Sequence, residues 1–113
     1  GVTIGAVAEA VTLCEKSGTN PSKMIEALSG GWADSKILQT HGKRMISKDF
    51  SPKGKTTTQL KDMTNIINAG KAVETHLPIS SLIKEMYKDL VADGHGNTDH
   101  SSLYNVIEKI NKK

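Results

Sequence analysis

The chain has 113 residues, of which 36% are hydrophobic and 24% charged, and its formal net charge is +3. This length predicts a single domain with one hydrophobic core, and so mild a charge does not require a polyanionic partner. One tryptophan, two tyrosines and one phenylalanine are too few for a typical base-stacking nucleic-acid module. The single cysteine excludes an internal disulfide framework and favours the cytoplasm. No apolar run approaches the ~18 residues that span a bilayer, which argues against a membrane protein.

The first stretch, GVTIGAVAEAVTLCEKSG, predicts a helix that is apolar around much of its circumference. Such a helix is buried in a core or an interface, and Cys14 is interpreted as one of its small buried side chains. Gly18 is the natural C-terminal stop. Asn20 and Pro21 then predict a second helix, with Asn20 as N-cap and Pro21 at the first helical position.

The middle of the chain predicts a short helix that Gly42 interrupts, followed by an irregular segment up to Phe50. The threonines at 56–58 offer caps for a long helix, which must end before Pro78 because proline cannot continue it. The expected buried stripe of this long helix is Leu60, Met63, Ile67 and Gly70, with Ile66 and Val73 beside it.

Two further helices complete the prediction. The apolar residues from Ile79 to Val91 follow the i, i+3, i+4, i+7 template, and Asp99 or Ser101 caps a last helix that places Ile110 inward. No segment shows convincing strand alternation. The sequence therefore predicts an all-α, bundle-like single domain of five or six helices.

The stretch Gly54-Lys55-Thr56 has the ending of a nucleotide-binding loop, G-x-x-x-x-G-K-[ST]. The first glycine of that motif would fall at position 49, which is Asp49, and its carboxylate would repel phosphate. The preceding residues also lack the pattern of a buried strand. We therefore exclude a phosphate-binding loop of this kind.

The segment DGHGNTDH groups Asp93, His95, Asp99 and His100, which are residue types that bind zinc. Its glycine-rich spacing matches no compact metal signature, and aspartate is expected at helix caps in any case. His41 and His76 lack ligand neighbours at suitable spacing and are interpreted as surface or packing residues. No metal site is predicted, and no nucleophile motif such as G-x-S-x-G occurs.

The middle of the chain is basic. It contains Lys36, Lys43, Arg44, Lys48, Lys53, Lys55 and Lys61. The simplest interpretation is a solvated face, and the functional alternative is attraction of an anionic ligand such as a dinucleotide or a carboxylate substrate. A nucleic-acid surface is disfavoured because no aromatic residues are interleaved with the charges.

The segments AEAVTLCEKSG, NPSKMIEALSGG, SGGWADS, DFSP, LKDM, LPISSL and YKDLVADGHGNTDHSSL occur in this order over nearly the whole chain. Together they resemble the C-terminal domain of the β-hydroxyacid dehydrogenases, a family that includes 3-hydroxyisobutyrate dehydrogenase and 2-hydroxy-3-oxopropionate reductase. The resemblance implies that residues 1–113 form a helical substrate and dimerisation domain, with the fold typical of the C-terminal domain of 6-phosphogluconate dehydrogenase. It also implies an N-terminal Rossmann domain, NAD or NADP as cofactor, a small carboxylate substrate and a homo-oligomer.

The resemblance implies roles for two neighbouring residues of LKDM. Lys61 matches the lysine that reaches the cofactor, and Asp62 matches an acidic residue near the substrate. The catalytic lysine of the family would fall upstream of Gly1, so no catalytic residue is expected in this chain and the chain alone should be inactive.

Two features of the sequence depart from the family pattern. Lys53-Gly54 stands where the family often has Gly-Phe, and His100 stands where it often has an aromatic residue. These departures leave the identity of the substrate open. The alternative hypothesis is a free-standing helical module that binds a protein or nucleic-acid partner.

Overall fold

The computed structural model describes residues 1–112 and shows six α-helices in that range. They are α1 (Val2–Lys16), α2 (Pro21–Leu28), α3 (Lys43–Ser47), α4 (Thr56–Ala72), α5 (Pro78–Ala92) and α6 (Tyr104–Ile110). A π-helical turn, Leu38–Gly42, runs directly into α3, and a 3-10 turn, His100–Leu103, runs into α6. Within residues 1–112 there is no strand, only an isolated antiparallel bridge between Lys55 and Asp99. The prediction of an all-α domain with five or six helices is confirmed.

Helix α1 forms the centre of the domain. Its residues Ile4, Ala8 and Val11 are almost completely buried, and the helix contacts α2, α3, α5 and α6. The opposite side of α1 faces solvent, since Leu13 is 72% exposed. The core that forms around α1 consists of Ile4, Val7, Ala8, Val11, Ile25, Leu38, Met45, Met63, Ile83, Tyr87, Leu90, Leu103, Tyr104 and Ile107.

Helices α4 and α5 form an antiparallel hairpin and share more contacts than any other pair of elements in the described chain. The turn between them packs closely on Gly70, where a Cβ atom would lie 2.9 Å from the backbone oxygen of Thr75. Pro78 occupies the first position of α5 as expected. The hairpin thus depends on two residues that can be recognised in the sequence, Gly70 and Pro78.

Gly42 does not interrupt the third helical segment, so that prediction was wrong. Its φ of −58° and ψ of −44° are helical, and the chain continues through it to Ser47. Gly42 is buried, and a Cβ there would lie 3.2 Å from Ile25 and 3.4 Å from Val7. The glycine therefore allows α1 and α2 to approach this segment closely. The irregular segment begins only at Lys48, which ends α3 with a φ of 57°.

Several apolar residues that the sequence placed inward are exposed instead. Ile79, Leu82 and Ile110 are each more than half exposed, because their helices bury a narrower face than the apolar pattern suggests. Val73, predicted to lie beside the buried stripe of α4, is also exposed. The fold thus leaves apolar side chains of α4, α5 and α6 without a partner inside the described domain.

Among residues 1–112, no helix combines the length and the hydropathy needed to cross a bilayer.

Candidate functional site

Asp99 is completely buried and holds two loops together. Its Oδ1 accepts hydrogen bonds from the backbone N–H groups of Lys53 and Gly54, each at 3.1 Å. Its Oδ2 accepts from the N–H group of Ser101 at 3.0 Å and from the Ser101 hydroxyl. The sequence predicted Asp99 or Ser101 as a helix cap. The structure shows that Asp99 is the cap and that it also fixes the loop that precedes α4.

Two side chains from the third helical segment face the same carboxylate. An Arg44 guanidinium nitrogen lies 3.4 Å from Asp99 Oδ1, and His41 Nδ1 lies 3.9 Å from Asp99 Oδ2. Burial acts to raise the pKa of Asp99, but the hydrogen bonds from Ser101, Gly54 and Lys53 outweigh it and hold the pKa below its usual range. Asp99 is therefore an ionised anchor. Arg44, expected on a solvated basic face, is instead mostly buried against it.

The start of α4 is tied to the loop that ends at Asp99. Thr56 donates its backbone N–H to the oxygen of Thr98 at 2.9 Å, and Thr57 donates to Gly96 at 3.1 Å. The Thr56 hydroxyl also bonds to Thr98 at 3.1 Å and makes no N-cap bond, since Lys55 is the N-cap residue. The threonines therefore anchor α4 by tertiary contacts, which differs from the predicted capping.

The candidate metal ligands of DGHGNTDH are not brought together as one group. Asp93 pairs with Lys109 at 3.0 Å, whereas Asp99 and His100 cluster with His41, with possible ligand atoms within 4.8 Å of one another. Both oxygens of Asp99 already accept hydrogen bonds, and the Arg44 cation lies beside them. The cluster fits a hydrogen-bonded anchor better than a metal centre, because a bound cation would compete with both.

His100 connects this anchor to α4. Its Nδ1 lies 3.1 Å from Gln59 Oε1, and its ring packs edge-on against His41 with 4.7 Å between the ring centroids. Gly54 lies under the same ring, where a Cβ atom would come within 3.0 Å of His100 Cε1. The two positions at which the sequence departs from the family pattern, 54 and 100, are therefore in contact.

Lys61 and Asp62 are both exposed on the second turn of α4. Met63 is buried, so a helical rotation of about 100° per residue places Lys61 on the outward side of α4. Asp62 lies toward Gly1. Gln59 also borders Gly1, since a Cβ on Gly1 would lie 2.7 Å from Gln59 Nε2.

The two half-buried histidines, His41 and His100, predict how the stability of the domain depends on pH. Burial is the main cause that lowers the pKa of both His41 and His100, and Arg44 acts in the same direction, while Asp99 acts in the opposite direction. The unfolded chain therefore binds protons more tightly, so the free energy of unfolding should fall as pH drops below about 6.5. Thermal unfolding between pH 7.5 and 5 measures this slope. His41→Gln should flatten it and the exposed control His95→Gln should not; equal slopes in both variants would contradict the prediction.

The fold and the site define a helical domain with an exposed lysine–aspartate pair beside the start of α1. Residues 1–107 match the family described as "NAD-binding of NADP-dependent 3-hydroxyisobutyrate dehydrogenase". The chain is 36% identical over 107 residues to 2-hydroxy-3-oxopropionate reductase of Escherichia coli (strain K12), covering 95% of this chain and 37% of that protein. The chain therefore belongs to the 3-hydroxyisobutyrate dehydrogenase family of NAD(P)-dependent oxidoreductases, which confirms the resemblance.

Two solved structures show the same fold. The 3-hydroxyisobutyrate dehydrogenase of Salmonella typhimurium superimposes with a TM-score of 0.87 at 23% identity, covering 93% of this chain and 37% of that one. The enzyme of Mycobacterium tuberculosis, solved with L-serine, gives a TM-score of 0.85 at 24% identity, covering 94% of this chain and 38% of that one. The chain thus spans a little over a third of the length of these relatives. The family match favours the dehydrogenase hypothesis over the free-standing module.

Three residues around the site were not identified from the sequence. Arg44 was grouped with solvated lysines, His41 was left as a surface or packing residue, and Gln59 was not noticed. Arginine is the basic residue best suited to buried ion pairs, so the single arginine among six lysines of the basic segment was a usable signal. Nothing in the sequence marks Gln59, because its importance comes only from contacts with Gly1 and His100.

Proposed function

We propose that residues 1–113 form the C-terminal substrate and dimerisation domain of a cytoplasmic NAD- or NADP-dependent dehydrogenase. The complete enzyme would transfer a hydride between the nicotinamide and a small β-hydroxy acid of the 3-hydroxyisobutyrate or 2-hydroxy-3-oxopropionate type. The observation that carries this proposal is the family match across residues 1–107. An N-terminal Rossmann domain would bind most of the cofactor.

The exposure of Lys61 and Asp62 supports a site shared between two domains. Both residues are exposed on α4, so a ligand that they contact needs a second surface opposite them. We assign the Lys61 ammonium to the cofactor, where a flexible point charge suits an anionic dinucleotide. Asp62 is assigned to the substrate site. Without the second surface, the chain alone should bind the cofactor weakly and transfer no hydride.

The position of Gly1 supports the same arrangement. Gly1 lies against Gln59 and Met63 of α4, so a helix that continued α1 upstream would start from this edge. A catalytic lysine two turns upstream would lie about 10 Å from Gly1 along the helix axis. In that position it would act as general acid and base on the oxygen of the reacting carbon.

Apolar side chains that the domain leaves exposed support a homo-oligomer. Ile79 and Leu82 lie on one side of α5 and are 64% and 61% exposed. Val2 borders Ile79 in a surface cleft at the start of both helices. Large exposed apolar side chains grouped in this way are typical of a surface that another domain or subunit covers.

The test is the activity of the complete enzyme that contains this domain. We expect reduction of NAD or NADP when 3-hydroxyisobutyrate or glycerate is supplied, and oxidation of the reduced cofactor with 2-hydroxy-3-oxopropionate. Residues 1–113 alone serve as the control and should show neither reaction. A complete enzyme that is folded, binds neither cofactor and oxidises none of these acids would overturn the proposal.

The substitution Lys61→Ala tests the cofactor contact. Removal of one charged contact should raise the cofactor KM of the complete enzyme about tenfold, equivalent to about 1.4 kcal/mol, while the substrate KM changes little. Lys71→Ala is the matched control, because Lys71 is an exposed lysine at the other end of the same helix. If both variants keep the cofactor KM of the original enzyme, Lys61 does not contact the cofactor.

A further inference from the structure

The C-terminal half of α1 exposes a short stripe that has an apolar centre and opposite charges on either side. Leu13 is 72% exposed, and Glu9 and Lys16 are exposed about one turn before and one turn after it. Because residues three and four apart are neighbours on a helix surface, the three side chains lie on one side of α1. Leu13 is about 18 Å from Gly1 along the helix axis, so the stripe lies at the end of α1 that is remote from Gly1.

Helix α6 forms an apolar cleft together with this stripe. The cleft has a volume of about 250 Å³, and its apolar lining consists of Leu13, Ile107 and Ile110. Ile107 is almost completely buried, whereas Ile110 is 72% exposed. The hydroxyl of Thr12 and the amide of Asn111 also line the cleft, but each donates to the backbone of its own helix at 2.8 Å. The cleft therefore suits apolar side chains better than a polar ligand.

The two charges of the stripe do not pair within the described chain. Glu9 and Lys16 are seven residues apart, beyond the three- or four-residue spacing at which helix side chains pair. Within residues 1–112 the ion pair of α1 joins Glu15 to Lys48 and involves neither of them. A second α1 in the antiparallel direction would supply both partners. If the two-fold axis passes beside Leu13, Glu9 of each copy faces Lys16 of the other.

From this arrangement we propose that a second copy of this chain docks on the face formed by Glu9, Leu13, Lys16 and Ile110, with the two α1 helices antiparallel about a two-fold axis. A face that binds its own copy must be self-complementary, and opposite charges on either side of Leu13 meet this requirement. The apolar centre would lie between two ion pairs, as in interfaces with an apolar core and a polar rim. The inference rests on the homo-oligomer of the proposed function and places one of its contacts, apart from the cleft beside Val2.

Charge reversal in the complete enzyme is the direct test, with the mass of the assembly measured by sedimentation velocity. Glu9→Lys places lysines opposite each other at both ends of the contact, and Lys16→Glu places glutamates there, so each variant alone should have half the original mass. An equimolar mixture of the two variants should regain the original mass, because every lysine then faces a glutamate. Lys71→Glu, a charge reversal at an exposed position of α4, is the control and should keep the original mass.

The substitution Leu13→Asp tests the apolar centre of the same contact. It places two carboxylates beside the two-fold axis, so it should also halve the mass of the assembly, and no mixture with a charge-reversed variant should restore it. Circular dichroism checks that the variant is folded, which we expect because Leu13 is mostly exposed and lies outside the core. A folded Leu13→Asp enzyme of unchanged mass would contradict the proposal.

The outcomes separate this interface from the proposed function. Reversed variants that keep the original mass, or a mixture that fails to regain it, would show that another domain or another protein covers the face, and would overturn the two-fold contact. An active enzyme with either result keeps the proposed function. An enzyme without hydride transfer whose mass is halved by each reversal and restored in the mixture supports the interface and overturns the function.

Discussion

The substitution Asp99→Ala should lower the free energy of unfolding of the chain by about 3–5 kcal/mol, the cost of breaking a buried ion pair from one side. Asp99 is completely buried and accepts hydrogen bonds from the backbone of Lys53, Gly54 and Ser101. Alanine would leave those donors unsatisfied and the mostly buried Arg44 guanidinium without its carboxylate. Urea unfolding followed by circular dichroism measures the change as a lower midpoint at constant slope.

Asp93→Ala is the control for this effect. Asp93 forms an exposed pair with Lys109 at 3.0 Å, and exposed pairs of this kind contribute about 0–1 kcal/mol. The loss in free energy of unfolding for Asp99→Asn should lie between those for Asp93→Ala and Asp99→Ala. The amide retains one acceptor oxygen, but its nitrogen cannot accept a hydrogen bond. Should Asp99→Ala cost no more than Asp93→Ala, the carboxylate does not organise the loops as described.

The helix ends that the sequence identified correctly are those that depend on local chemistry. Asn20 caps α2 by accepting from the N–H group of Ser22 at 2.9 Å, and Pro21 and Pro78 each occupy a first helical position. Gly18 follows the end of α1 with a φ of +78°. Each of these signals acts within a few residues, so it can be recognised without the tertiary structure.

The predictions that failed involve residues whose role is set by distant neighbours. Gly42 was interpreted as a helix breaker, but its lack of a side chain serves the close approach of Val7 and Ile25. Ile79 and Ile110 fit the helical spacing of apolar residues but are nevertheless exposed. Periodicity identifies a helix and its apolar side, but it does not show how much of that side a neighbouring helix covers.

The candidate site was only partly accessible from the sequence. Lys61 and Asp62 were assigned from the family resemblance, and their exposure on α4 adds the requirement for a second surface opposite them. The chain of polar contacts from Asp99 through His41 and His100 to Gln59 joins residues that are 41 to 59 positions apart in sequence. No local motif encodes such contacts, because they form only when the loop before α4 and the turn before α6 meet.

The second large loss of stability is expected from substitution of Tyr87, which connects the core to the turn that carries His100. The side chain is completely buried, and its hydroxyl donates to the backbone oxygen of His100 at 2.9 Å. Burial is the main cause that raises the pKa of Tyr87, with a smaller contribution from Asp99, so the hydroxyl remains a donor throughout the range in which the domain is folded. Tyr87→Ala should lower the free energy of unfolding by about 3–5 kcal/mol, because truncation of a buried aromatic residue leaves a cavity.

Tyr87→Phe separates the two contributions of this residue. The phenylalanine ring fills the same space, so the variant should lose only the hydrogen bond to His100, at about 1 kcal/mol. Thermal unfolding of the two variants measures the difference, and Met86→Ala, at the half-buried neighbouring position of α5, shows what truncation costs outside the core. If Tyr87→Phe proves as damaging as Tyr87→Ala, the hydrogen bond to the turn that carries His100 dominates, and the packing of the ring contributes little to stability.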